Sequence, residues 1–188
     1  MPTLRLLISF CWIYYLVFWV AAARKTKANA ERQPWRSFLH HSLYIFLGAI
    51  VLSYDIVPWG INRRMFADSP AALMAGAAAT VAGLAVAVWA RCILGKNWSG
   101  TVTIKLDHEL VQHGPYRWVR NPIYTGVLLM FVGTAAALGQ VRGLVGVALV
   151  FWGFWLKIRQ EEAFMRRQFP VAFPEYQRRV KSLIPYML

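Results

Sequence analysis

Residues capable of chemistry crowd into two short stretches of an otherwise apolar chain. In the first, Gly114-Pro115-Tyr116-Arg117 is followed by Arg120-Asn121-Pro122-Ile123-Tyr124. Asn121-Pro122 reads as a helix start, because Asn accepts backbone hydrogen bonds at an N-cap and Pro fits the first helical position. A cap alone does not call for Tyr116, Arg117, Arg120 and Tyr124 around it. Aromatic faces attract cations, and the free amides of a helix N-terminus donate to carboxylate or ribose oxygens. The combination suits a zwitterionic ligand with a cationic centre.

The second stretch is Lys157-Ile158-Arg159-Gln160-Glu161-Glu162, with charges of both signs at the end of a long apolar run. Ionisable residues at the mouth of membrane helices are functional candidates. The same residues also form ordinary helix pairs, Lys157 with Glu161 and Arg159 with Glu162, and basic side chains near a helix end snorkel to the interface.

The elements that hold these residues are set by composition. Of the 188 residues, 58% are hydrophobic and 15% charged, against about 25% charged in a soluble domain. A membrane-spanning helix needs roughly 20 mostly apolar residues, and five segments meet or approach that length: about 4–23, 38–59, 71–94, 122–138 and 141–158. The expected fold is therefore an all-α integral membrane protein with about five transmembrane helices in a single domain, 1–188. The fourth and fifth segments, joined at Gly139-Gln140, should form a helical hairpin over 122–158. The loop 95–121 should be ordered against the membrane face, since long loops in compact domains tend to be functional. The remaining tail, 159–188, mixes Phe164, Phe169, Phe173 and Tyr176 with Arg166, Arg167, Arg178, Arg179 and Lys181, a pattern expected to lie along the membrane surface.

The net charge of +13 first reports orientation. With five spans, Arg5, Arg63, Arg64 and Arg142 fall on one side and every other Lys and Arg on the opposite side. The positive-inside rule then puts the N-terminus outside and the C-terminus in the cytosol, so nucleic acid is not needed to explain the charge. The first segment reads as a retained helix, because its apolar run is longer than a signal-peptide core and its basic cluster follows the run. Cys11 and Cys92 lie in predicted helices without metal-like spacing to each other or to histidines, and both are expected as small packing residues. No metal is expected.

The order and spacing of several motifs resemble the isoprenylcysteine carboxyl methyltransferase family and its bacterial relatives, and more distantly the phospholipid methyltransferases. The resemblance runs from about Asn97 to Pro185. It rests on His108-Glu109-Leu110-Val111, Gly114-Pro115-Tyr116, Val119 through Gly126, and Glu161-Glu162 followed by Phe169, Tyr176 and Leu183-Ile184-Pro185. It implies S-adenosyl-L-methionine as cofactor and methyl transfer at the cytosolic membrane face, in a bacterial inner membrane, to a lipophilic or lipidated acceptor. By motif, His108, Glu109, Leu110, Val111, Tyr116, Arg120, Asn121, Pro122, Ile123 and Tyr124 would form the cofactor pocket, closed by Glu161. The family usually has His where this chain has Asn121, which binds but cannot titrate. It typically has Arg one turn before the glutamates, where counting back lands on Lys157, with Arg159 as a substitute; Lys157, Arg159, Glu161 and Glu162 are the catalytic candidates. A carboxylate acceptor of the methyl group needs no base, whereas an amine acceptor must lose a proton, and Glu161 or Glu162 would then be the natural general base. Competing readings are a phospholipid N-methyltransferase, a nicotinamide-dependent membrane sterol reductase with a similar Arg-aromatic-Pro-x-Tyr stretch, and a non-catalytic membrane scaffold. The oligomeric state is not legible.

Overall fold

The computed structural model describes residues 2–23, 29–32, 35–53, 60–98, 103–105 and 109–187. Six helices account for most of them: α1 (Pro2–Ala23), α2 (Trp35–Ser53), α3 (Pro70–Leu94), α4 (Pro122–Leu138), α5 (Val141–Gln168) and α6 (Ala172–Arg179). A short antiparallel ribbon pairs β1 (Asn29–Arg32) with β2 (Thr103–Lys105). The helical class thus holds, with the ribbon as an addition to the all-α expectation: two loops on the same side of the helices meet and satisfy each other's backbone groups.

Helix boundaries follow local chemistry. At the start of α3, Ser69 stands at the N-cap with Pro70 behind it, and the Ser69 hydroxyl accepts from the Ala72 amide at 3.4 Å. At the end of α4, Gly139 adopts φ 63°, a left-handed cap that favours glycine, and its amide donates to Ala135 O. Gln140 then returns to extended backbone and α5 starts at once, giving the expected hairpin. The loop at residues 60–66 covers this turn: Met65 N donates to Gly139 O at 2.9 Å, and Arg142 N to Ile61 O at 2.7 Å.

Two helix pairs carry most of the packing, α3 with α4 and α2 with α5, and both approach through glycine. A Cβ at Gly83 would stand 2.5 Å from Gly126 O, and one at Gly48 would stand 2.7 Å from Gly146 O. Such closeness is how helices gain dispersion contact where lipid offers no hydrophobic drive. Helix α1 joins through Ile8 against Leu73 and Ala77, and the Trp12 indole donates to Thr134 Oγ at 3.0 Å. Among the described residues, three helices have the length and composition to cross a membrane: α1, α3 with its terminal turn to Asn97, and α5. The apolar part of α2 (Phe38–Ser53) and α4 are shorter. The last part of the expected 38–59 segment, residues 54–59, lies outside the described residues.

Three expectations are corrected. The hairpin does not stop at 158: α5 continues to Gln168, because Glu161, Glu162, Arg166 and Arg167 are good helix formers and no proline intervenes before Pro170. The tail does not spread its aromatics on a membrane surface; Phe173, Tyr176 and Leu183 are buried at 3%, 3% and 1% exposure, against the protein itself. Cys11 is buried, whereas Cys92 is exposed on α3.

Candidate functional site

A cavity of about 140 Å³ opens at one end of the bundle, where the C-terminus of α3, the segment 109–121, the start of α4, the extension of α5 and helix α6 converge. Each wall has a local origin. Gly114, at φ 60°, starts a 3-10 turn over Gly114–Arg117 that buries Pro115 and Tyr116. The Tyr116 hydroxyl donates to Ala90 O of α3 at 3.4 Å. Its backbone carbonyl accepts a short hydrogen bond from the Tyr176 hydroxyl of α6. Burial pushes both phenols well above their ordinary range, so they act as neutral donors and rigid wall pieces.

Asn121 does occupy the N-cap of α4, but its side chain makes no cap hydrogen bond. Its amide instead donates to Ser182 Oγ at 3.1 Å and Ser182 O at 3.3 Å. The α4 N-terminus is therefore joined to the C-terminal segment. Arg120 N donates to Lys181 O at 2.8 Å, Asn121 N to Ser182 O at 3.0 Å, and Thr125 Oγ to Leu183 O at 2.7 Å.

The two adjacent glutamates have different surroundings. Glu161 Oε1 accepts from the Tyr124 hydroxyl at 2.7 Å. The Tyr124 ring packs on Phe154 at 4.9 Å, and Lys157 Nζ lies 5.4 Å from the ring centroid of Tyr124. Glu162 sits in a closed network. Its Oε1 accepts from Arg120 Nε at 2.9 Å and Nη2 at 2.8 Å, and its Oε2 from Gln177 Nε2 at 2.7 Å. The Arg120 guanidinium also donates to Val180 O. With both oxygens engaged and the pair at 10% and 12% exposure, Glu162 ties together the elements of this wall.

Of the residues singled out from sequence, Glu109, Leu110, Val111, Tyr116, Arg120, Asn121, Ile123, Tyr124, Glu161 and Glu162 all line this cavity. Pro122 is buried beneath it as the first residue of α4, and His108 lies outside the described residues. Lys157 does not line the cavity, but its Nζ stands by the Tyr124 ring and its charge acts on Glu161. Arg159 is not brought there: it is exposed, with its guanidinium carbon 5.9 Å from the Trp155 ring centroid. The structure adds Leu94, Asn97, Trp98, Phe164, Met165, Phe173 and Tyr176. The aromatic residues of the tail were visible as a cluster, but nothing in their spacing said what they cover. Asn97 and Trp98 carried no local signal beyond ending an apolar helix.

Three comparisons bear on this arrangement. The sequence profile of the phospholipid methyltransferase family matches residues 71–172. A probable protein-S-isoprenylcysteine O-methyltransferase of Oryza sativa subsp. indica is 35% identical over 96 residues, covering 50% of this chain and 50% of that protein. Protein-S-isoprenylcysteine O-methyltransferase A of Arabidopsis thaliana is 35% identical over 96 residues, covering 50% and 49%. The chain thus spans about half the length of these plant relatives. A solved structure titled as the eukaryotic intramembrane Ras methyltransferase ICMT (isoprenylcysteine carboxyl methyltransferase) superposes with a TM-score of 0.52 at 21% identity, covering 80% of this chain and 52% of that one, and this shows a shared membrane fold. With its helical membrane fold and a profile match over more than half its length, the chain belongs to the phospholipid methyltransferase family, and over half its length it is similar to isoprenylcysteine O-methyltransferases.

Proposed function

We propose that the protein is an integral membrane methyltransferase that uses S-adenosyl-L-methionine to methylate a lipophilic acceptor, a prenylcysteine carboxylate or a related lipid, at the cytosolic membrane face. The observation that carries this is the Tyr124–Glu161 hydrogen bond in a cavity walled by Trp98, Tyr116, Phe164, Phe173 and Tyr176. A carboxylate among aromatic faces fits a nucleoside that bears a positive centre. When bound, the cofactor supplies an electrophilic methyl group on a sulfonium. The chain's own residues have mainly to align and to exclude water, which is the positioning form of catalysis. Tyr124 fixes the Glu161 carboxylate, the Arg120–Glu162 pair fixes the wall behind it, and Phe173 and Tyr176 roof the site. A five-span arrangement with the N-terminus outside, the reading that the distribution of Lys and Arg supports, would have this end of the bundle in the cytosol.

The family profile favours a second reading, a phospholipid N-methyltransferase. An amine acceptor must lose a proton, and among the described residues Glu161 accepts one side-chain hydrogen bond, from Tyr124, on the wall of the cavity. Calorimetric titration of the detergent-purified protein with S-adenosylhomocysteine tests the cofactor. Binding that weakens at least tenfold in Tyr124→Ala and Glu161→Ala supports it, whereas a folded wild type that binds a nicotinamide cofactor instead sinks it. Prenylcysteine analogues and aminophospholipids then separate the two acceptor classes. Glu161→Gln should abolish transfer to an amine while sparing transfer to a carboxylate in proportion to residual cofactor binding.

A further inference from the structure

Trp89 and Trp118 are large, apolar and exposed, at 42% and 44%. Their rings meet edge to face with centroids 5.6 Å apart. Trp89 stands on α3, and Trp118 directly follows the 3-10 turn Gly114–Arg117. Tyr116 of that turn lines the cavity and donates to Ala90 O, the neighbour of Trp89. The tryptophan pair is thus the outer edge of a wall whose inner side is Tyr116.

The depth of the pair follows from α3, which begins at Pro70. At roughly 1.5 Å per residue, Trp89 lies about 28 Å along the helix from Pro70, and a hydrocarbon core is about 30 Å thick. Trp89 therefore falls at the membrane boundary, where the amphipathic indole is favoured. Beyond it the surface turns basic. Trp89, Cys92 and Lys96 are exposed in succession at helical spacing, and Lys181 is bridged to Val119 beside Trp118. The Arg117 guanidinium carbon lies 4.6 Å from the Trp118 ring centroid. The indole covers one face of that guanidinium, and among the described residues nothing else engages it. Its N–H edge is left for a planar or tetrahedral oxyanion. At this end of the bundle Lys96, Arg117, Arg178, Arg179 and Lys181 are exposed, against the exposed carboxylates Glu109 and Glu175. Apolar rings at the hydrocarbon boundary with an uncommitted cation on one of them complement a lipid that carries a negative headgroup.

We propose that Trp89, Trp118 and Arg117 form a binding surface for an anionic phospholipid of the leaflet around this end of the bundle. The lipid phosphate accepts from the Arg117 guanidinium, and the upper part of an acyl chain lies on the two indoles. The lipid is a partner and not a methyl acceptor: phosphatidylglycerol, the probe used below, has neither an amine nor a carboxylate. Its contact fastens the outer edge of the Gly114–Arg117 turn to the bilayer.

The test places the full chain in phosphatidylcholine bilayers doped with acyl-brominated phosphatidylglycerol or with acyl-brominated phosphatidylcholine, bromine being a contact quencher of indole fluorescence. Subtracting the emission of Trp118→Phe isolates Trp118. Its emission should be half quenched at about fivefold lower content of the anionic lipid, the selectivity of one basic group at an anionic headgroup. Arg117→Gln, with a circular dichroism spectrum matching wild type, should bring that ratio below about twofold, and Arg117→Lys, which keeps the charge, should hold it above about twofold. Equal quenching of Trp118 by the two lipids overturns the proposal, as does an Arg117→Gln protein that keeps the full ratio. Quenching by neither lipid means that the indoles face solvent or another protein, and overturns it as well. None of these outcomes bears on the cofactor reading, whose test is binding of S-adenosylhomocysteine.

Discussion

Arg120 and Glu162 meet across the cavity wall, with two guanidinium nitrogens 2.8 and 2.9 Å from a single carboxylate oxygen. One residue precedes α4 and the other lies on the extension of α5, so the pair fastens two helices together. Through Val180 O and Gln177 it also fastens the C-terminal segment. Removing one partner strands the other charge in a largely buried place, at a cost of about 3–5 kcal/mol. Glu162→Ala should therefore lower the melting temperature in detergent and speed tryptic cleavage at Arg178 and Arg179. A melting temperature unchanged from wild type would show that the pair is not structural.

Glu161 should behave differently from its neighbour. Its contact is the single bond from Tyr124 on the cavity wall. Glu161→Gln keeps the shape and an acceptor, so stability should stay within about 1 kcal/mol of wild type while S-adenosylhomocysteine affinity falls about tenfold. Equal melting shifts for Glu161→Gln and Glu162→Gln would contradict the division of roles.

Helix α6 and the following residues form a wall of the site as well as the end of the chain. Truncation after Arg179 removes Ser182 and Leu183, the partners of Asn121 and Thr125. The helices before it retain their own glycine-mediated packing. The truncated protein should remain helical by circular dichroism and lose at least tenfold in S-adenosylhomocysteine affinity, consistent with several lost hydrogen bonds of about 1 kcal/mol each. Undiminished affinity would mean that the tail is dispensable.

The close approach of α3 and α4 makes a sharp contrast between glycines. At Gly83 a Cβ would collide with backbone at 2.5 Å, whereas at Gly60 nothing lies within 4 Å. Gly83→Ala should destabilise by about 1–3 kcal/mol, as overpacking does, and Gly60→Ala should be near neutral. Thermal melting of the two variants side by side decides it.

Arg159 and Lys157, two residues apart, should also separate. Arg159 points away from the cavity over Trp155, and Arg159→Ala should leave methyl transfer within about twofold, as expected for a surface change. Lys157→Ala removes the cation beside the Tyr124 ring and should weaken cofactor binding by about threefold to fivefold. A larger loss in Arg159→Ala than in Lys157→Ala would restore Arg159 to the site.

Much of this architecture was legible in the sequence because it is local. Apolar length and low charge set the helices, Asn121-Pro122 marks a start, and Gly139 marks a stop whose left-handed backbone disfavours other residues. Tyr116, Arg117, Arg120 and Tyr124 could be grouped because they are close in the chain and crowd one helix N-terminus, whereas Glu109, Leu110 and Val111 joined them through the family resemblance. What the tertiary structure alone decided is which distant groups meet. Arg120 and Glu162 are 42 residues apart, and Tyr116 and Tyr176 are 60 apart; no periodicity encodes such pairings. Adjacent Glu161 and Glu162 look equivalent in sequence, yet successive helical residues point about 100° apart. Only the positions of Tyr124, Arg120 and Gln177 make one an open carboxylate and the other a closed clamp.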